Sequence, residues 1–219
     1  MHGNAVAFRA ALADLEDRRP DLIVALGDVA QGGPQPRECV ELVRELGCPC
    51  VRGNTEDFLL TLDLGAEPIK DEERRERVLA TARWSREQLG EDGLAFLETF
   101  EPTVRGGPIL CCHATPSSNE DVILPETPRA DVERALAGVD APAVAAGHVH
   151  QQWLRRFDAT LWFCVGAIGV WPFCEYALVD DETLAIEFRR IPFDVEELIA
   201  VARAKDFPGF DDWAATWKR

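Results

Sequence analysis

The feature that most constrains the fold of this chain is an alternation of short apolar runs with helical patterns over its first two-thirds. The apolar runs read "DLIVALG", "CPCVRG", "PILCCH" and "PAVAAGH", and segments of helical periodicity lie between them. Strands that alternate with helices are joined by crossovers, which place the strands parallel in one sheet. The pattern therefore predicts an α/β fold in this part of the chain.

Apolar periodicity predicts helices on both sides of these runs. Residues 56–98 are mostly helical by pattern, and the stretch "DEERRERVLATARWSREQLG" within them is long and amphipathic. Shorter helices are expected over 4–18, 37–46, 128–138 and 194–204, and a tail that bears tryptophan follows the last of them.

The last third of the sequence changes character. Strand-like runs, "QQWLRRF", "TLWFCVGAIG", "EYALVD" and "TLAIEFRRI", follow one another with short turns between them, which predicts an antiparallel meander. No linker, repeat or low-complexity tract divides the chain. We therefore expect residues 1–219 to form a single mixed α/β domain, with two packed mixed β-sheets flanked by helices.

Composition limits the classes of partner. The net charge of −16 argues against a nucleic-acid binder, which would carry a basic face, but it does not exclude a small phosphorylated substrate. No apolar run approaches the roughly 20 residues that cross a bilayer, and no signal segment opens the chain, so we expect a cytoplasmic protein. The seven cysteines are odd in number and lack C-x-x-C spacing, which favours buried structural thiols.

The four apolar runs of the first two-thirds each lead into a residue that can hold a metal. These residues are Asp28, Asn54, His113 and His148, with His150 two positions further on. Sites in open α/β sheets form outside the carboxyl ends of the strands, so we expect these side chains to converge. The fourth histidine of the chain, His2, stands where another strand end is expected.

Each residue taken alone also has a structural interpretation. A single histidine is more often a satisfied structural imidazole, Asp28 could cap a turn, and Asn54 could be a turn residue. The occurrence of all four histidines at or near expected strand ends favours a metal site instead. Donors of this kind, without an obvious thiolate, suit Mn²⁺, Fe or Zn²⁺, and an aspartate can bridge two cations.

In order along the chain, "HGN", "LGDV", "VRGNTED", "CCHATP" and "GHVH" resemble the motifs of the calcineurin-like metallophosphoesterase superfamily, in particular its small bacterial and archaeal phosphodiesterase-like members. The resemblance implies hydrolysis of a phosphodiester or small phosphomonoester by a metal-bridging hydroxide. It implies two divalent ions, Mn²⁺ first and Fe, Zn²⁺ or Ni²⁺ as alternatives. Asp28 would bridge them, His2 and His150 would hold one, and Asn54, His113 and His148 would hold the other.

The first departure from the superfamily pattern lies at the amino terminus. The aspartate of the D-x-H motif is absent, and Met1 stands at the x position. In the superfamily this aspartate ends the first strand of the sheet, and a parallel sheet needs such a strand before the 4–18 helix. We therefore expect that Met1 is not the natural start, and that an apolar run ending in aspartate precedes it.

The second departure is Thr55, which follows Asn54 where many members have a histidine that protonates the leaving group. A threonine hydroxyl is too weak an acid for that role, so the enzyme should prefer leaving groups that need little protonation. The expected catalytic residues are Asp28, Asn54 and Thr55.

Two other functions stay open. The first is a metal- or ligand-binding protein of the same fold with impaired or lost turnover, which both departures favour. The second is a nucleotide-binding doubly wound domain, against which stands the lack of a G-x-G-x-x-G or Walker loop. The sequence leaves the oligomeric state open.

Overall fold

Seven α-helices and seven β-strands form the part of the chain that the structure describes, residues 1–64 and 69–217 of a computed structural model. None of the described helices combines the length and apolarity that a membrane crossing requires. The helices are α1 (Ala5–Arg18), α2 (Pro36–Leu46), α3 (Asn54–Thr61), α4 (Glu72–Glu98), α5 (Arg129–Ala135), α6 (Val195–Ala204) and α7 (Phe210–Thr216). The strands are β1 (Thr103–Gly106), β2 (Ile109–Cys112), β3 (Ala143–Ala146), β4 (Gln152–Phe157), β5 (Thr160–Val165), β6 (Phe173–Val179) and β7 (Ile186–Pro192).

The helices follow the predicted pattern closely. The side chain of Asn4 caps α1 by accepting a hydrogen bond from Ala7 N at 2.9 Å. The long helical region predicted over 56–98 is divided into α3 and α4, and α4 is broken at Gly90, whose φ and ψ of 63° and −176° are not helical. Residues 65–68 of that prediction lie outside the described residues.

The larger sheet has five strands in the order β1-β2-β3-β5-β4. Its three central strands, β2, β3 and β5, are parallel, and β1 and β4 pair antiparallel at its edges. The central strands are buried on both faces, as parallel strands usually are. Along β5, Trp162 and Cys164 belong to one apolar cluster, and Leu161 and Phe163 belong to the other.

Two predicted strands are wrong as stated. The runs "DLIVALG" and "CPCVRG" form only isolated parallel bridges, from Ala25 to Cys50 and from Val51 to Glu101. A ladder needs a neighbour along its length, and on its other side the segment 22–26 borders a cavity rather than a strand. The sequence shows that these runs are apolar, but it does not show what lies beside them.

The predicted antiparallel meander is correct in its two hairpins and wrong in their connection. Strands β4 and β5 pair antiparallel, as do β6 and β7, but β5 pairs with β3 instead of β6. The turn at Gly166, where φ is 85°, carries the chain from the five-stranded sheet into a separate two-stranded sheet of β6 and β7. Two sheets flanked by helices are the predicted fold class, which is therefore confirmed. Strand β1 was not predicted, because "TVRG" is short and has no apolar alternation.

The side-chain amide of Gln152 connects the two sheets. Its Nε2 atom lies 3.2 Å from Val165 O in β5, 3.0 Å from Tyr176 O in β6 and 3.1 Å from Arg189 O in β7. Hydrogen bonds to backbone carbonyls that face the interior are costly to remove, because the carbonyls then lack a partner.

We predict that Gln152→Leu lowers the free energy of unfolding by about 1–3 kcal/mol, because three carbonyl oxygens lose their shared donor. The exposed neighbour Gln151 provides the matched control, and Gln151→Leu should change stability by less than about 0.5 kcal/mol. Urea unfolding followed by circular dichroism measures both. Equal stability of the two variants would contradict the assignment of Gln152 as a link between the sheets.

Candidate metal centre

Six polar side chains converge at one edge of the sheets. Asp28 follows the segment 22–26, His113 follows β2, and His148 and His150 follow β3. Asn54 opens α3, and His2 lies just before α1. The convergence that the sequence predicted is therefore present in the structure, and it includes His2.

Two imidazoles and the Asp28 carboxylate form the first group of donor atoms. His2 Nε2 and His150 Nε2 face each other at 2.8 Å. Asp28 Oδ2 lies 3.4 Å from His2 Nε2 and 3.8 Å from His150 Nε2. Three donor atoms thus point into one small space.

The second group uses the same carboxylate oxygen. Asp28 Oδ2 lies 3.5 Å from His113 Nε2, which is 3.2 Å from His148 Nδ1 and 3.1 Å from Asn54 Oδ1. Because Oδ2 faces both groups, Asp28 occupies the position that a bridging ligand would need.

The chemistry of these donors fits divalent cations. In each of two groups, His2, Asp28 and His150 or Asp28, His113 and His148, the ligand atoms lie within 4.8 Å of one another. Two imidazole nitrogens that face each other can share one proton at most, whereas a cation accepts a lone pair from both. Two of the remaining ring nitrogens are hydrogen-bonded to backbone carbonyls, His113 Nδ1 to Leu26 O at 2.6 Å and His2 Nδ1 to Gln31 O at 3.2 Å. Metal-binding histidines are usually oriented in this way.

The other oxygen of Asp28 is held by Thr55. Thr55 donates to Asp28 Oδ1 from its backbone N at 3.2 Å and from its hydroxyl at 2.7 Å. The hydroxyl hydrogen is therefore used to orient the carboxylate. This contact was not visible in the sequence, where Thr55 was notable only for standing in place of a histidine.

The protonation states of the centre follow from burial and from Asp28. Burial alone would raise the pKa of Asp28, but the charge of His113 and the hydrogen bonds of His113 and His150 hold it well below its usual range. Burial lowers the pKa of His2 to about 3. Burial also disfavours the charged form of His113, but the charge and hydrogen bond of Asp28 outweigh it, and the pKa of His113 is raised. Burial thus favours the neutral form of His2, and the Asp28 carboxylate favours the protonated form of His113.

Tight backbone geometry brings the two loops of the centre together. A Cβ atom added at Gly27 would lie 2.6 Å from Gly53 N, and one added at Gly53 would lie 2.4 Å from Asp28 Oδ1. Asp28, His2 and His150 have φ angles of 53°, 56° and 54°, a region that residues with side chains rarely adopt. Such strained residues cluster at functional sites.

Glu56 is the residue of the centre that sequence reasoning missed. Its carboxylate is fully buried and accepts three backbone N–H groups, from Asp28 at 2.8 Å, Val29 at 2.8 Å and Gly53 at 2.9 Å. Burial and the neighbouring Asp28 charge raise the pKa of Glu56 despite these donors. The signal that could have revealed it is its position three residues after Gly53, where an acidic side chain turns back to cap a helix.

Comparison with known proteins agrees with this geometry. The profile of the Calcineurin-like phosphoesterase family matches residues 1–164, and the chain belongs to that family. It is 32% identical over 124 residues to an uncharacterised protein of Methanocaldococcus jannaschii, a match that covers 55% of this chain. The chain spans about half the length of this curated relative, 49%.

Two solved structures share the fold. A hypothetical protein of Pyrococcus horikoshii OT3 superposes with a TM-score of 0.85 at 21% identity, over 98% of this chain and 93% of that one. A metallophosphoesterase of Sphaerobacter thermophilus superposes with a TM-score of 0.78 at 24% identity, over 98% and 94% of the two chains. At these identities the likeness establishes the fold, which is the fold class predicted from the sequence.

We predict that Glu56→Gln lowers the free energy of unfolding by about 1.5–3 kcal/mol, because an amide group cannot accept all three backbone N–H groups. The matched control is Glu45→Gln on the exposed side of α2, which should change stability by less than about 0.5 kcal/mol. Chemical denaturation measures both variants. An unchanged stability in Glu56→Gln would show that the buried carboxylate does not hold the Asp28 loop.

The raised pKa of His113 predicts that cation binding releases a proton, since the neutral imidazole is the form that binds a metal. The apparent affinity for Mn²⁺ should fall as the pH is lowered through the pKa of His113. Calorimetric titrations at pH 6.5 in two buffers of different ionisation enthalpy measure the release, which should shrink as the pH is raised through the pKa of His113. Absence of net proton release at pH 6.5 would contradict the pairing of His113 with Asp28.

Proposed function

We propose that this protein is a metal-dependent phosphoesterase that hydrolyses a phosphodiester or a small phosphomonoester. The observation that carries the proposal is the single Asp28 oxygen that faces His2, His113 and His150 at 3.4–3.8 Å. Membership of the calcineurin-like phosphoesterase family supports the same reaction class.

The two donor groups suggest how cations would be held. We assign His2, Asp28 and His150 to one ion, and Asp28, Asn54, His113 and His148 to the other. Nitrogen and oxygen donors favour Mn²⁺, with Fe, Zn²⁺ or Ni²⁺ as alternatives. When bound, such ions polarise phosphoryl oxygens and make water a competent nucleophile near neutral pH.

Asp28 and Thr55 have different parts in this proposal. Asp28 supplies the shared ligand, and Thr55 fixes its orientation through the two hydrogen bonds to Oδ1. Thr55 is therefore a positioning residue, and its hydroxyl does not protonate a leaving group. We infer a preference for esters whose leaving groups depart as stable anions, such as aryl esters.

An exposed aromatic side chain lies beside the centre. The indole of Trp171 is 43% exposed, and its Nε1 donates a hydrogen bond to His150 O at 2.8 Å. A fixed indole with an open face is suited to stacking on a planar ring. This position favours a substrate that carries an aryl or heterocyclic group next to its phosphate.

The proposal predicts that the protein hydrolyses bis-p-nitrophenyl phosphate when Mn²⁺ is added and stops when a chelator removes the ion. Asp28→Asn should lower kcat/KM roughly 100-fold or more, because losing a shared ligand costs at least as much as losing a residue that orients one. The matched control is Asp92→Asn, which removes an exposed carboxylate on α4 that pairs with Arg44 at 2.8 Å. Its kcat/KM should stay within twofold of the parent value.

The outcome also decides between the two candidate functions. Folded protein that binds Mn²⁺ at these residues but turns over none of a broad panel of phosphate esters would support the metal- or ligand-binding protein instead. Folded protein that binds no divalent cation would contradict both the site assignment and the phosphoesterase.

A further inference from the structure

A loop without regular structure supports the His2 side of the centre. Residues 30–35 precede α2 and belong to no strand or helix. Within this loop, Gln31 O lies 3.2 Å from His2 Nδ1. A carbonyl oxygen can only accept, so this hydrogen bond needs the ring hydrogen on Nδ1 and leaves the Nε2 lone pair directed at Asp28 and His150. The position of the loop therefore affects how His2 is oriented.

Two backbone contacts bring the loop close to His2. A Cβ atom added at Gly33 would lie 2.5 Å from His2 O and 2.6 Å from Gly3 O. Gln35 N also donates a hydrogen bond to Gly3 O at 2.7 Å. These contacts fix the loop at Gly33 and Gln35, but they do not involve the carbonyl of Gly32.

The Gly32 carbonyl accepts its hydrogen bond from the other end of the chain. Trp213 Nε1, on α7, donates to Gly32 O at 3.1 Å. Gly32 directly follows Gln31 in the loop. Two successive carbonyls thus accept one hydrogen bond from the His2 ring and one from the Trp213 ring. An indole has one donor and no acceptor, so this contact uses the whole hydrogen-bonding capacity of the Trp213 side chain.

Aromatic packing holds Trp213 in place. Its ring centroid lies 5.2 Å from that of Phe207 and 5.7 Å from that of Trp217. Phe207 is buried and makes an edge contact with Trp84 of α4 at 5.3 Å. Aromatic pairs at such separations stabilise each other beyond the area that they bury. The indole that reaches the loop is therefore held by a cluster that also contacts α4.

We propose that Trp213 is a positioning residue of the candidate metal centre, which acts on His2 through the loop at 30–35. The inference rests on His2 being a ligand, as the proposed function assigns it. Groups that orient a metal ligand through hydrogen bonds affect metal affinity, and Trp213 fixes the loop that carries such a group. Helix α7 lies beyond residues 1–164, the part of the chain that the family profile matches. The carboxyl-terminal segment thus contributes to cation binding without touching the cation.

The first test compares two variants within one aromatic cluster. Trp213→Phe keeps an aromatic ring but removes the donor to Gly32 O. Calorimetry should show about three- to tenfold weaker binding of the Mn²⁺ ion that His2 holds, the effect expected of one hydrogen bond. The matched control is Trp217→Phe, because Trp217 Nε1 is buried and has no hydrogen-bond partner among the described residues. Its Mn²⁺ affinity should stay within about twofold of the parent value.

The second test observes the His2 ring in the metal-free protein. Nitrogen-15 NMR of labelled histidines shows whether Nδ1 of His2 carries the hydrogen that Gln31 O accepts. Trp213→Phe should shift the His2 signals, and Trp217→Phe should leave them unchanged. Site-specific incorporation of 3-benzothienylalanine at position 213 replaces the indole N–H by sulfur at nearly the same volume. It should reproduce the effects of Trp213→Phe even where the loss of volume in that variant lowers stability.

Equal Mn²⁺ affinities or equal His2 signals in Trp213→Phe and Trp217→Phe would overturn the proposal. The benzothienyl protein behaving like the parent would also overturn it, because the effect would then come from packing and not from the donor. A parent protein that binds no Mn²⁺ would overturn the proposed function, whereas the NMR comparison would still decide whether Trp213 positions the His2 ring.

Discussion

The buried carboxylate of Asp28 is the group on which the rest of the centre depends. A charge so far from water is stable only when it is paired, and the imidazoles of His2, His113 and His150 surround it together with Thr55. One oxygen is fixed by hydrogen bonds from Thr55, and the other faces the imidazoles. Because only one oxygen is used for orientation, the carboxylate is held rigidly while its other oxygen can still bind a cation.

The position of Asp28 is set by the backbone rather than by its own side chain. Gly27 and Gly53 let two loops approach within distances that a Cβ would prevent, and Glu56 connects both loops by accepting hydrogen bonds from Asp28 N and Gly53 N. The parallel arrangement of β2 and β3 then places His113 and His148 at the same edge. The centre is thus the meeting point of loops whose register is fixed by the sheet.

Sequence reasoning succeeds here where the signal is local. Apolar runs that end in His113 and His148 predicted the parallel strands β2 and β3. Together with the run that ends in Asp28, they also predicted the convergence, because ligand types at the ends of apolar runs are visible along the chain. Glu56 was missed because an acidic residue at a helix start is ordinarily a solvated cap. The isolated bridges at Ala25 and Val51 were missed because a ladder depends on a neighbour in space, which a run of apolar residues does not identify.

The most direct measurement of the central claim is anomalous diffraction from crystals grown with Mn²⁺, collected on both sides of the manganese absorption edge. Two anomalous peaks should appear, one between His2 and His150 and the other between His113 and His148, with Asp28 within ligand distance of both. A single peak away from Asp28, or no peak in crystals whose protein hydrolyses phosphate esters, would contradict a centre built on this carboxylate.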